Sequence, residues 1–90
     1  MKVLRVTADT QIATGICYIK QVILDHSSAT SAIIYNEDDS SKTAAAKVLT
    51  IHNSETELTA QITFPGKRGI RLSEGCYIDY NAGEVYLVMG

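Results

Sequence analysis

The sequence predicts an all-β chain: a single small antiparallel β-sandwich, jelly-roll-like or Ig-like, of about seven to eight short strands. Three observations predict it. Turn-forming clusters fall at Asp9-Thr10, Asp25-His26-Ser27-Ser28, residues 36–42, Asn53-Ser54-Glu55, Pro65-Gly66-Lys67-Arg68-Gly69, Ser73-Glu74-Gly75 and Asn81-Ala82-Gly83, near the spacing of roughly 8–12 residues that marks sandwiches and barrels. The segments between them are rich in Ile, Val, Thr and Tyr, which suit a pleated surface. Residues 57–64 alternate without interruption between apolar and polar side chains.

Taken in chain order, residues 3–7 form a first short strand. Residues 16–24 form a longer one that is apolar on both faces: Ile16, Tyr18, Lys20, Val22 and Leu24 on one, Cys17, Ile19, Gln21 and Ile23 on the other. A two-layer sandwich leaves one face of each strand polar. This strand therefore either bends between sheets or meets another subunit, with Ile16, Tyr18, Val22 and Leu24 as the candidate contact. Residues 31–35 read as a strand. In residues 43–52 the run Thr43-Ala44-Ala45-Ala46-Lys47 suits a helical turn, whereas Val48-Leu49-Thr50-Ile51 is largely β-branched; the segment as a whole is expected to be a strand. In residues 57–64, Leu58, Ala60, Ile62 and Phe64 face the core, Thr59, Gln61 and Thr63 face water, and Pro65 ends the strand. Residues 76–80 and 84–89 read as a closing hairpin around Asn81-Ala82-Gly83, with Gly83 at positive φ.

Ninety residues with a net charge of −2 make one domain, residues 1–90, able to bury a small core. No run of like charge exceeds Glu37-Asp38-Asp39, so a general electrostatic grip on nucleic acid is not expected. No apolar stretch approaches the roughly 18 residues of a membrane-spanning helix, and the start of the chain turns polar by Thr7, unlike a secretory signal. Cys17 and Cys76 lie in no C-x-x-C pair. They are either a disulfide between strands or two small buried hydrophobes, and a cytosolic folding compartment favours free thiols.

Signatures of chemistry are sparse. Asn36-Glu37-Asp38-Asp39-Ser40 begins like a calcium loop, but Ser41 stands at the glycine position and Lys47 at the glutamate position. Asp25-His26-Ser27-Ser28 sets acid, imidazole and hydroxyl side by side, where neighbours in a turn rarely converge as a triad must. No phosphate-loop or nucleophile-elbow motif occurs. The expectation is no catalytic residue, no metal and no cofactor. Five tyrosines and no tryptophan suit a protein interface, to which Tyr77 and Tyr86 are added as candidates. Tyr77, Asp79 and Asn81 together are the nearest approach to a sugar-binding platform.

The order of these features carries a resemblance. Gly15-Ile16-Cys17-Tyr18-Ile19 opens the domain, followed by Ser31-Ala32-Ile33-Ile34-Tyr35-Asn36 and a Leu-Thr-Ile strand. Then come Phe64-Pro65-Gly66, Gly69-Ile70-Arg71-Leu72, Gly75-Cys76-Tyr77-Ile78 and Val85-Tyr86-Leu87-Val88. Over residues 15–89 this resembles the small all-β virion structural proteins of tailed bacteriophages. The resemblance implies a non-enzymatic capsid decoration (cement) subunit, or a neck or tail accessory. Such a subunit is made in the host cytoplasm and resides in the virion. It implies as partners other virion proteins, including the major capsid protein, and a homo-oligomer such as a trimer, without direct contact to nucleic acid or membrane. The alternative is a module that binds host-surface glycan or another ligand at a tail tip.

Overall fold

A computed structural model describes residues 2–90. Nine strands are formed: β1 (Lys2–Val6), β2 (Thr10–Ala13), β3 (Cys17–Asp25), β4 (Ser31–Tyr35), β5 (Lys47–His52), β6 (Thr59–Thr63), β7 (Ile70–Leu72), β8 (Cys76–Tyr80) and β9 (Glu84–Met89). Every ladder is antiparallel. One sheet runs β1-β9-β3-β6, with β7 also on β3; the other runs β2-β8-β4-β5.

β6 and β7 are two halves of one edge strand. Thr63 pairs with Gln21 and Ile70 pairs with Ile19, so residues 64–69 loop out opposite Lys20 alone. With the halves counted as one, the first sheet holds the first, eighth, third and sixth strands, and the second holds the second, seventh, fourth and fifth. That is the order of a jelly roll, in which the chain keeps crossing between sheets, and it replaces the Ig-like option. Among the described strands, β4 and β5 are the one consecutive pair that shares a ladder.

The expected closing hairpin is therefore not one. β8 pairs with β2 and β4, whereas β9 pairs with β1 and β3. Asn81-Ala82-Gly83 carries the chain across the sandwich. Gly83 does have positive φ, at 85°, but a crossing requires it: a Cβ there would lie 2.5 Å from the Asp25 carbonyl oxygen and 2.6 Å from the His26 Cβ.

The two-faced apolar pattern of residues 16–24 has a local cause. Against β9, Ile19 pairs with Met89 and Gln21 with Val88, leaving Lys20 as an extra residue in a β-bulge. The bulge reverses the phase of the strand. Ile19 faces the core before it, Val22 and Leu24 face the core after it, and all three are buried. Strict alternation would set Ile19 opposite Val22. Gly69 packs on this point so closely that a Cβ would meet the Ile19 carbonyl oxygen and the Lys20 Cα.

The core joins both sheets: Val6, Ile19, Val22, Leu24, Leu72, Val85 and Leu87 from one, Ala32, Ile34, Ile51, Cys76 and Ile78 from the other. β6 alternates as expected, with Ala60 and Ile62 half-buried, Phe64 half-buried just beyond it, and Thr59, Gln61 and Thr63 exposed. Leu58 departs from the expectation and is 40% exposed. The strand begins only at Thr59, and Leu58 sits in the preceding turn, its carbonyl accepting from His26 N and Asn53 Nδ2. The run Ala44–Ala46 is a 3-10 turn rather than strand, closed by Ala46 N donating to the Thr43 carbonyl. Both cysteines are free thiols.

Val22→Glu places a charge where no surface remains, and the variant is expected to lose its β-sheet circular dichroism. Leu87→Ala is expected to cost about 2–5 kcal/mol in urea unfolding, whereas Thr63→Ala on the wet face stays within about 0.5 kcal/mol of the parent.

Candidate functional site

The outer faces of the two sheets differ in kind. On the four-stranded sheet, Tyr35 and Tyr77 lie opposite each other and point away from the core. The β4–β5 connection folds back over them. Its Lys42 lies 3.3 Å from both Asp9 and Asp79, and the Glu37 carbonyl accepts from Gln11 Nε2 at 2.8 Å. The connection is pinned internally as well, since the buried Glu37 carboxylate accepts from the Thr43 amide (2.6 Å) and hydroxyl (2.9 Å). Tyr35 and Tyr77 are left 7% and 8% exposed.

Among the described residues no connection of this kind lies over the five-stranded sheet. The register sets Val3, Val88, Gln21 and Thr63 in one outward row, and Arg5, Tyr86, Ile23 and Gln61 in the next. Val3 is 62% exposed, and Ile23, Tyr86 and Val88 are half-buried by their neighbours alone. The result is an apolar patch of Val3, Val88, Ile23 and Tyr86, bordered by the uncharged Gln21, Gln61 and Thr63 on the β6 side and by the charged Arg5, Glu84 and Asp25 at one end. At one end Arg5 donates to the Glu84 carboxylate from Nε (3.2 Å) and Nη2 (3.1 Å), and the Tyr86 hydroxyl donates to the same carboxylate. These bonds, Arg5 foremost, hold the Glu84 carboxyl down at about 2.

The six residues expected at an interface separate accordingly. Ile16 is 60% exposed, Tyr86 lies on the bare sheet face, and Tyr18 is half-buried with the Arg68 guanidinium 3.9 Å above its ring. Val22 and Leu24 are core residues, because the bulge turns them inward, and they have no surface to offer a partner. Tyr77 is covered by the β4–β5 connection. Val3, Ile23 and Val88 were not among the candidates. Their signal is the outward phase of three paired strands, legible only once the pairing is known.

Two concavities flank this face. An open, mainly polar cleft of about 680 Å³ takes its walls from Arg5, Asp25, His26, Ser27, Thr59 and Glu84. The Asp25 carboxylate accepts from the Thr59 hydroxyl at 2.7 Å, and among the described residues no hydrogen bond joins Asp25, His26 and Ser27 as a relay. At the opposite end, a smaller groove of about 290 Å³ opens between the sheets beside Leu4, Ile12, Ile16, Cys17 and Met89. Among the described residues no three His, Cys, Asp or Glu side chains converge as metal ligands would.

The chain matches no family model, curated protein or solved structure.

Burial pushes the Cys76 thiol up to about 12 and raises that of Cys17. Since the thiolate is the nucleophile, Cys76 is expected to resist iodoacetamide at pH 8 in the native protein and Cys17 to react slowly. Mass spectrometry after alkylation in denaturant should find both labelled. For Glu84, NMR titration should place the carboxyl near 2, and Arg5→Ala should return it toward 4.5. The sign follows from a depressed pKa: what the pair adds to stability is present above the ordinary carboxylate range and is lost as pH falls toward about 2.

Proposed function

We propose that this protein is a non-enzymatic structural subunit of a tailed-phage particle, a capsid decoration protein that works by covering area. The observation that carries the reading is the asymmetry of the faces. The chain folds its own loop against the Tyr35–Tyr77 row of one sheet, whereas on the other Ile23, Tyr86 and Val88 on the inner strands and Val3 on the edge strand β1 have no such covering among the described residues. The molecule measures 35 × 29 × 20 Å, so its broadest side is large enough for the roughly 800 Å² per partner that a standard protein interface uses. Jelly rolls serve as capsid domains and also as lectin domains. The glycan alternative depends on an exposed aromatic platform, and the candidate one has Tyr77 buried and Asp79 held by Lys42. An outward face with aliphatic side chains and one tyrosine fits a protein surface better than a sugar. On this reading the partners are other virion proteins, repetition over a symmetric shell multiplies a modest affinity per site, and the location is the virion.

Co-sedimentation with emptied phage heads, together with the mass of the protein in solution, tests this. The wild-type protein is expected to sediment with heads and to melt at a higher temperature when bound. The double variant Val3→Glu, Ile23→Glu should keep its circular dichroism and remain in the supernatant. A monomer that melts at the same temperature at every concentration, ignores heads and binds host polysaccharide saturably would overturn the proposal.

A further inference from the structure

A second surface lies at the end of the sandwich where the groove opens, and its chemistry differs from that of the sheet face. β1 is the terminal strand of its sheet and pairs with β9 alone, so along its other side the backbone donors and acceptors have no ladder partner among the described residues. Beside it the gap between the sheets is not closed. Leu4 from β1 and Ile12 from β2 point into the gap but stay half-buried, as does Met89, and Ile16 stands at the mouth 60% exposed. Lys2 and Arg68 line the same groove. Lys67 adjoins Arg68, Arg71 pairs across from Tyr18, and Lys20, the bulge residue two positions after Tyr18, donates from Nζ to the Gly66 carbonyl. Five of the eight basic residues thus gather at one end of a chain whose net charge is −2. Among the described residues none of the five makes an ion pair, whereas Arg5 and Lys42 do.

We propose that the β1 edge and this groove receive an extended segment of a partner protein by strand addition, with an aliphatic side chain seated in the groove and acidic side chains against Lys2 and Arg68. Each part of the occupant follows from a feature of the site. A free strand edge takes extended backbone. A groove of about 290 Å³ beside Leu4, Ile12 and Met89 takes one or two aliphatic groups. Unpaired cations at its rim favour carboxylates and steer their approach. A second copy of the chain is a poorer occupant, because its own β1 brings Lys2 and Arg5 and no acid, setting like charges against each other. The proposal is independent of whether the partner belongs to a virion.

Selection from a display library of random nine-residue peptides against the full-length protein tests it. The expected result is enrichment of peptides in which Asp or Glu alternates with Leu, Ile or Val. The amide NMR shifts they induce should be confined to Lys2–Val6, Ile12, Ile16, Cys17 and the 66–69 loop, and binding should weaken as salt rises. Ile16→Glu and Arg68→Glu, both at the surface, should keep the native amide spectrum and each weaken a selected peptide by about tenfold or more, roughly 1.4 kcal/mol. No enrichment, basic or neutral consensus peptides, shifts mapping elsewhere, or unchanged binding to both variants would each overturn the proposal. Failure to sediment with phage heads would leave this result untouched, so the two readings fail separately.

Discussion

The β-bulge at Lys20 is the constraint on which the rest of the architecture depends. β3 is the busiest strand of the fold, paired with β9 on one side and with β6 and β7 on the other. A continuous strand of nine residues would keep one phase throughout and drive either Ile19 or Val22 to the surface. One extra residue lets both be buried. The same point breaks the opposite edge: Phe64 N donates to the Lys20 carbonyl, the chain leaves the sheet through Pro65, and it returns at Ile70. Gly69 makes that return possible, since its backbone lies against Ile19 and Lys20 where no Cβ fits. Bulge, loop and glycine form one device.

How much of this was legible in the sequence depended on whether an element obeyed a local rule. Residues 57–64 did, because an edge strand with one wet face must alternate, and only Leu58 fell outside by belonging to the turn. Residues 16–24 announced an anomaly but not its origin: apolar side chains on both faces fit a subunit contact as well as a change of phase, and the choice depends on pairing with β9. Asn81-Ala82-Gly83 reads locally as a tight turn, yet the jelly roll sends its ends to different sheets, a constraint set by non-local partners. β2 is only four residues long and too short to show a period. Of the candidate contact residues, Ile16, Tyr18 and Tyr86 are at the surface. Val22 and Leu24 were misplaced by the bulge, and Tyr77 by a loop whose return across the sheet has no local signature.

The covering of the four-stranded sheet also shows which forces matter at the surface. The Lys42 pairs with Asp9 and Asp79 are exposed by a third or so, and such pairs contribute at most about 1 kcal/mol. Burial of two tyrosines beneath the loop contributes more, so the ion pairs act chiefly to hold the covering in register. Asn53 does similar work at the other end of the molecule. Its Nδ2 donates to the Ser28 and Leu58 carbonyls and its Oδ1 accepts from the Thr30 amide, tying the β3–β4 loop to the β5–β6 turn from a buried position. Its side-chain amide is satisfied at both the carbonyl oxygen and the NH2 group, as a buried polar group must be.

The broken edge has a consequence for valency. A sheet that grows by adding strands needs two competent edges, one to receive and one to pass the addition on. Here the far edge is interrupted by a proline-bearing loop into the short pieces β6 and β7, and short, interrupted edges propagate poorly. The five-stranded sheet is thus terminated on one side and open on the other. Strand addition to this sheet can therefore occur once, at β1, and is not passed on to its far side.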